Sequence, residues 1–125
     1  MELYNPVGVE FWLVAEPLLL DAIRRDNTHT PESVYQLLKN NQADLWLHDS
    51  HKTAGVTFWL PAVDGPILHV WLGGGRLKEL EEMLPSVEEW GRQHGAARLM
   101  LTGRAGWEKV LPGFKRQAVL MTKEL

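Results

Sequence analysis

The residues with the most evident chemistry lie where an apolar segment passes into a helical one. Residues Trp71 to Arg76 have the sequence WLGGGR, and a helical pattern follows them. Glycines before a helix let a phosphate approach backbone N–H groups, and the positive end of the helix dipole favours its charge. Yet Glu79, Glu81 and Glu82 open this helix, and their carboxylates would repel a phosphate. The segment therefore predicts a phosphate cradle, a damaged cradle, or a tight turn that uses glycine for its positive φ angles.

A histidine just upstream is the best candidate for a general base. His69 lies in the middle of the apolar segment PILHVWL. Because strand side chains alternate, we expect His69 on the same sheet face as Trp46, Trp59 and Trp71. That face is core beneath a helix, a binding cleft floored by aromatic rings, or a dimer interface. In the cleft, His69 would supply the polar group, since imidazole exchanges protons near neutral pH.

The remaining polar clusters offer less chemistry. His48, Asp49 and His51 share one predicted hairpin turn, where such side chains are usually solvated, and we predict no metal site. The chain has no cysteine, which excludes disulfides, thiolate metal sites and a thiol nucleophile. It also has no nucleophile elbow, P-loop or H-E-x-x-H motif.

Length and charge predict one globular domain, residues 1–125, with 45% hydrophobic and 23% charged residues. No apolar run approaches the roughly 18 residues that cross a bilayer, and the N-terminus does not resemble a signal peptide. Residues 1–75 carry four basic and nine acidic side chains, a net charge of −5, against +2 for the rest. We therefore expect no membrane and no nucleic-acid partner, and the acidic first half is ordinary solvated surface charge or favours a cationic partner.

Periodicity and turn residues predict an α/β domain in which helices flank a mixed β-sheet, in the order βααβββαβαβ. Thr30 and Pro31 suit the start of a helix, Gly95 suits the end of another, and Pro85 should kink or split that helix. The predicted strands are residues 8–14, 43–49, 54–60, 66–72, 96–102 and 114–125. The predicted helices are residues 17–25, 31–41, 76–94 and 104–111.

Several short patterns occur in an order that resembles the GNAT superfamily of N-acetyltransferases over nearly the whole chain. VEEWGRQHGAARLML resembles the family's long helix, its closing glycine and the next strand. GWEKVLPGF resembles the family's Y-E-K-x-G-F pattern, with extra residues before the Gly-Phe pair. In size the chain is also similar to short GNAT-like proteins of bacteriophages. The resemblance implies a GNAT-like domain.

The resemblance also implies where acetyl-CoA would bind. The family's strand before the long helix offers backbone groups to the pantetheine arm, and a Q/R-x-x-G-x-G/A turn binds the pyrophosphate. One alignment places Arg76 on the family's Q/R and puts Glu79 and Glu81 on the small positions. Another makes Gly73 to Gly75 a shifted loop with Arg76 as phosphate partner. The cofactor-binding candidates are Trp71, Leu72, Gly73, Gly74, Gly75 and Arg76.

Two functions follow as expectations. Trp107 stands where much of the family has a tyrosine acid, and an indole cannot donate a phenolic proton. With the glutamates of the turn, this favours a degenerate acetyl-CoA site and a non-catalytic binding or structural protein, such as a phage accessory or virion-associated component. The alternative is an acetyl-CoA-dependent N-acetyltransferase of an unknown amine, with His69 as base. We expect a cytoplasmic or virion-associated location, a protein partner or small amine, and possible homodimers.

Overall fold

A computed structural model describes residues 3–103, 107, 111, 113–117 and 121–125. A short 3-10 helix, Val9–Phe11, leads directly into the first α-helix. The helices are α1 (Trp12–Asp26), α2 (Pro31–Lys39) and α3 (Leu77–Gln93), and the strands are β1 (Asp44–Leu47), β2 (Ala54–Leu60), β3 (Ile67–Gly74) and β4 (Arg98–Leu101). The described elements form the predicted mixed sheet flanked by helices.

The predicted first strand, residues 8–14, is wrong, because this segment contains the 3-10 helix and the start of α1. Trp12, Ala15, Leu19 and Ile23 recur at helical spacing and are all buried, so burial of one helix face outweighs the loose alternation. Just before this segment, Val7 pairs with β1 of the sheet, because its N–H donates to the Leu45 carbonyl at 2.7 Å. The helix predicted over residues 17–25 is the second half of α1.

The ends of the other two helices follow the sequence prediction. Thr30 caps α2, because its Oγ1 accepts the Ser33 N–H at 3.1 Å while the Ser33 hydroxyl oxygen accepts the Thr30 N–H at 2.9 Å. Gly95 follows α3 with φ at +89°, a conformation that glycine adopts easily. Pro85 does not split α3, which is helical from Leu77 to Gln93.

The sheet has the order β1-β2-β3-β4, in which only the β3–β4 pair is parallel. Strand β4 pairs with Ile67 to Val70 of β3, and the last hydrogen bond runs from the Thr102 N–H to the Val70 carbonyl at 3.1 Å. Beyond Val70, β3 continues to Gly74 in register with β2 alone, as far as the described residues go. The two parallel strands thus share only the first half of β3.

A β-bulge between Val56 and Thr57 changes which side chains share a face. Val56 lies opposite Leu72, but Thr57 lies opposite Val70, so Trp71 is the extra residue. The predicted row of three tryptophans is therefore wrong. Trp46 and Trp59 contact Trp90 of α3, at ring-centroid distances of 5.5 and 5.9 Å, whereas Trp71 packs on Phe58 on the opposite face.

Each face of the sheet has its own hydrophobic cluster. Leu45, Leu47 and Val56 belong to the cluster beneath α1 and α2, together with Trp71. The cluster beneath α3 contains Trp46, Leu68, Val70, Met83 and Val87. Leu68 and Val70 thus lie on the α3 side, opposite to the face that simple alternation predicted for them.

The C-terminal predictions fall mostly outside the described residues. The described parts of the predicted last strand, residues 114–117 and 121–125, have no strand structure, and residues 118–120 are not described. Of the helix predicted over residues 104–111, the structure describes Trp107, in a 3-10 turn, and Leu111. Among the described residues, no helix is long and apolar enough to cross a membrane.

Thr57→Val should destabilise the fold by about 1–3 kcal/mol, because it leaves a buried donor without an acceptor. The Trp46 indole N–H donates to the Thr57 hydroxyl oxygen at 3.0 Å, and both side chains are 1% exposed. Urea unfolding measures the change. Thr122 is exposed, so the matched control Thr122→Val should stay within about 0.5 kcal/mol. Equal stability of the two variants would contradict the assigned hydrogen bond.

Candidate functional site

The turn between β3 and α3 is the candidate phosphate cradle, and three of the backbone donors near it have acceptors within the protein. The Arg76 N–H donates to the Thr53 hydroxyl oxygen at 3.0 Å. The N–H groups of Glu79 and Leu80 both donate to the Arg76 carbonyl, each at 3.0 Å. Because α3 closes its first turn at once, three donors near the turn already have acceptors within the protein.

The carboxylate of Glu79 lies at this helix start and accepts two hydrogen bonds from the β1–β2 hairpin. Its Oε1 accepts from the Thr53 hydroxyl at 2.6 Å and from the Ser50 hydroxyl at 2.9 Å. The side chain is 12% exposed, and a guanidinium nitrogen of Arg76 lies 3.8 Å away. The hydrogen bond from Thr53, more than any other contact, lowers the pKa of Glu79, so the carboxylate is ionised near neutral pH.

His48 lies between Glu79 and a second carboxylate of α3, Glu82. Its Nδ1 accepts the Ser50 N–H at 3.0 Å, which leaves Nε2–H to donate to Glu82 at 2.8 Å. Nδ1 also lies 3.5 Å from Glu79, and the Tyr4 ring stacks on the imidazole at 5.3 Å. The expectation that His48 is solvated is therefore wrong. Among the described residues, no group of three or more acidic, histidine or cysteine side chains could hold a metal ion.

Two of the three glycines pack against the protein's own backbone. A Cβ at Gly74 would overlap the Leu18 carbonyl of α1, and one at Gly75, whose φ is +112°, would lie 2.6 Å from the Thr53 Cα. Beside Gly73 a Cβ would meet only ordinary contacts, at 3.5 Å, with Leu80 and Trp107. Gly74 and Gly75, but not Gly73, are thus required by close backbone approach within the fold.

Because of these contacts, the turn does not fit the pyrophosphate of acetyl-CoA. The space beside Gly74 and Gly75 is filled, and the Glu79 carboxylate lies at the helix start. Arg76 is the predicted phosphate partner, but its side chain is 58% exposed and directed towards Glu79. A phosphate entering here would meet the Glu79 carboxylate, with the Glu82 carboxylate about one turn further along α3.

The predicted pantetheine segment, Trp71 and Leu72, is buried. The Trp71 indole N–H donates to Asp26 at 3.0 Å, on the α1 side of the sheet. On the α3 side, the Trp107 ring lies beside Gly73, where β3 has no β4 partner. A small apolar cavity of about 40 Å³ remains there, lined by residues such as Leu72, Gly73, Leu80 and Trp107. It has room for a water-sized group.

His69, the predicted base, lies on the α1 side of the sheet and is 8% exposed. Its Nε2 is hydrogen-bonded to the Thr102 hydroxyl, and its ring meets the Phe58 ring edge-on at 4.8 Å. Burial lowers the pKa of His69, against the opposing effect of the Asp26 carboxylate, so the imidazole is neutral near neutral pH. Among the described residues, its Nδ1 is the one buried side-chain nitrogen or oxygen without a hydrogen-bond partner.

The sequence prediction missed the side chains that hold Glu79, namely His48, Ser50 and Thr53. One signal was available. Glu79 and Glu82 are three residues apart, so they share one face of α3 and can both meet a basic group. That this group comes from the β1–β2 hairpin depends on how the hairpin packs on α3, which the local sequence does not specify.

Comparison with known proteins finds relatives by structure only, since no protein-family model and no curated protein match the sequence. A possible acetyltransferase from Clostridium difficile 630 superposes with a TM-score of 0.72, at 8% identity and 99% coverage of both chains. The ribosomal-protein-alanine N-acetyltransferase from Brucella melitensis biovar Abortus 2308 gives a TM-score of 0.68 at 11% identity, covering 97% of this chain and 98% of its own. The glucosamine-6-phosphate N-acetyltransferase from Arabidopsis thaliana gives 0.64 at 12% identity, covering 97% and 96%. At such identities the likeness establishes the fold alone.

Gly74→Ala should destabilise the protein by about 1–3 kcal/mol, because the added methyl group overlaps the α1 backbone. Gly73→Ala is the matched control and should change stability little, since its Cβ would make contacts at 3.5 Å. Urea unfolding of the two variants measures the difference. Equal stabilities would mean that open space lies beside Gly74, as in a ligand cradle.

Glu79→Gln should lower the urea midpoint near neutral pH, and this loss should shrink at acidic pH. A carboxyl whose pKa is lower in the folded protein than the ordinary 4.5 contributes stability above that value. The contribution is lost as the pH falls through the folded-state pKa. Unfolding curves above and below pH 4.5 measure it, with the exposed Glu81→Gln as control. A loss of the same size at every pH would contradict the role of the charge.

Proposed function

We propose that this chain, which has the GNAT fold, is a non-catalytic binding or structural protein whose acetyl-CoA site is degenerate. The observation that carries the proposal is the Glu79 carboxylate, which accepts hydrogen bonds from Thr53 and Ser50 at the start of α3. An anion is favoured at a helix N-terminus, and here the chain supplies its own. A pyrophosphate would have to displace this carboxylate or lie beside it.

The surroundings of the turn support the same proposal. Glu82 adds a second carboxylate on the same face of α3, and Arg76 is the cationic side chain paired with Glu79. An exposed ion pair such as Arg76–Glu79 stabilises by about 0–1 kcal/mol, which is too little to offset two nearby carboxylates.

Trp107 supports the proposal from the side of catalysis. Its indole stands where the family resemblance expects a tyrosine, and it packs beside Gly73 at the open end of β3. The Trp107 indole has no phenolic proton, so it suits packing against β3 better than protonation of a leaving thiolate. The expected setting remains a phage accessory or virion-associated protein that binds another protein.

The second candidate is an acetyl-CoA-dependent N-acetyltransferase, and one observation favours it. His69 is neutral and buried, and its Nδ1 has no hydrogen-bond partner among the described residues. An unpartnered buried nitrogen costs stability, and such groups are often kept for chemistry. The acceptor would be a small amine, with His69 taking its proton.

Thermal melting with acetyl-CoA and with desulfo-CoA separates the two candidates. We expect no change in melting temperature, because the turn does not fit the pyrophosphate. A cofactor at one hundred times its dissociation constant would stabilise the fold by about 2.7 kcal/mol, roughly 10 °C for a domain of this size. An active acetyltransferase serves as the positive control.

The variant Arg76→Ala gives this experiment its structural control. A rise in melting temperature that the variant abolishes would overturn the proposal, because Arg76 would then hold the phosphate despite Glu79. Release of free thiol from acetyl-CoA in a panel of amines would overturn it independently. A flat result with both ligands and both proteins supports a degenerate site.

A further inference from the structure

An open groove of about 810 Å³ runs between the start of α1 and the start of α2, and none of its lining residues belongs to the β3–α3 turn. Trp12 and Tyr35 lie at its base, with ring centroids 6.2 Å apart. Leu13 stands on its rim and is 86% exposed. The groove therefore offers aromatic and aliphatic surface to a partner.

Three carboxylates surround this apolar surface. Glu10, Glu16 and Glu32 line the groove, and its lining contains no lysine, arginine or histidine. In the described part of the chain, none of the three forms an ion pair or a side-chain hydrogen bond. Their charges are thus not neutralised within the protein.

Helix electrostatics account for only part of this arrangement. Glu32 lies in the first turn of α2, where the helix dipole favours an acidic side chain. Glu16 lies inside α1 beyond its first turn and gains no such benefit. The basic residues of α1, Arg24 and Arg25, lie in its last turn and do not line the groove. The net charge of −5 over residues 1–75 extends the same negative field.

We propose that this groove binds a basic segment of a partner protein, in which lysine or arginine side chains flank one apolar side chain. The cationic groups pair with Glu16 and Glu32, and the apolar side chain packs on Leu13 and the aromatic base. Opposite charge selects the partner, and burial of the apolar group supplies affinity. The inference rests on the proposed function, since it states what such a binding protein would bind.

Fluorescence anisotropy with a fluorescein-labelled peptide, lysines around one central leucine, tests the groove directly. We expect saturable binding that weakens as salt is raised, since exposed ion pairs are screened. The same peptide with glutamate for lysine should not bind. Glu16→Gln with Glu32→Gln should weaken binding about fivefold, taking roughly 0.5 kcal/mol for each exposed pair.

Matched variants separate the groove from general charge attraction. Asp21→Asn with Glu81→Gln removes the same charge from exposed positions outside the groove and should leave the affinity unchanged. Leu13→Ser should weaken binding at constant charge. Equal weakening by both charge variants would overturn the proposal, because attraction would then be unspecific. No binding of the lysine peptide would overturn it as well.

A second copy of the chain is the competing occupant, and size-exclusion chromatography at rising concentration detects it. If the unmodified protein forms a dimer and the double variant Glu16→Gln with Glu32→Gln does not, the groove binds a second copy and the partner-segment proposal is overturned. A monomer under all conditions supports the proposal. The failure of the proposed function is seen separately, as acetyl-CoA binding in the melting experiment. Peptide binding without cofactor binding supports both proposals.

Discussion

The hydroxyl of Thr53 is the contact on which the β3–α3 turn depends. Its oxygen accepts the Arg76 N–H, and its proton goes to the Glu79 carboxylate. One side chain of the β1–β2 hairpin thereby satisfies the backbone at the start of α3 and orients the anion at the helix N-terminus. The close approach of Thr53 also requires Gly75 to have no side chain, so the hairpin, the turn and the helix form one unit.

Under the proposed function, this unit takes the place of the contacts that acetyl-CoA would make. An anion is favoured at a helix N-terminus, and here a carboxylate from the same helix lies in that position. His48 lies between Glu79 and Glu82 and donates to Glu82, and the Tyr4 ring stacks on its imidazole. On the other side of β3, Trp107 lies beside Gly73. Both halves of the expected cofactor position are thus occupied by the protein's own side chains.

The acidic groove lies apart from this unit and is formed by different constraints. Along α1, every third or fourth side chain is buried, and some of the residues between them are exposed enough to make contacts outside the core. Leu13 and Glu16 occupy such positions. A surface with apolar area and unpaired charge of one sign is suited to selecting a partner of the opposite sign. The fold positions these side chains, but the binding properties of the groove depend on which residues lie on its surface.

The sequence by itself determined the elements whose signals are local. The three antiparallel strands, the capped start at Thr30, the end at Gly95 and the general fold class follow from alternation, cap residues and glycine, which act over a few neighbouring residues. Only the tertiary structure decided the rest. The bulge at Val56 and Thr57 shifts the register by one residue and sends Trp71 to the other face, and a one-residue shift has no local signature. Residues 8–14, predicted as a strand, contain the 3-10 helix and the start of α1, because a helix there buries one face against the core. The partners of Glu79 lie 26 and 29 residues away in the chain, so only packing could bring them to it.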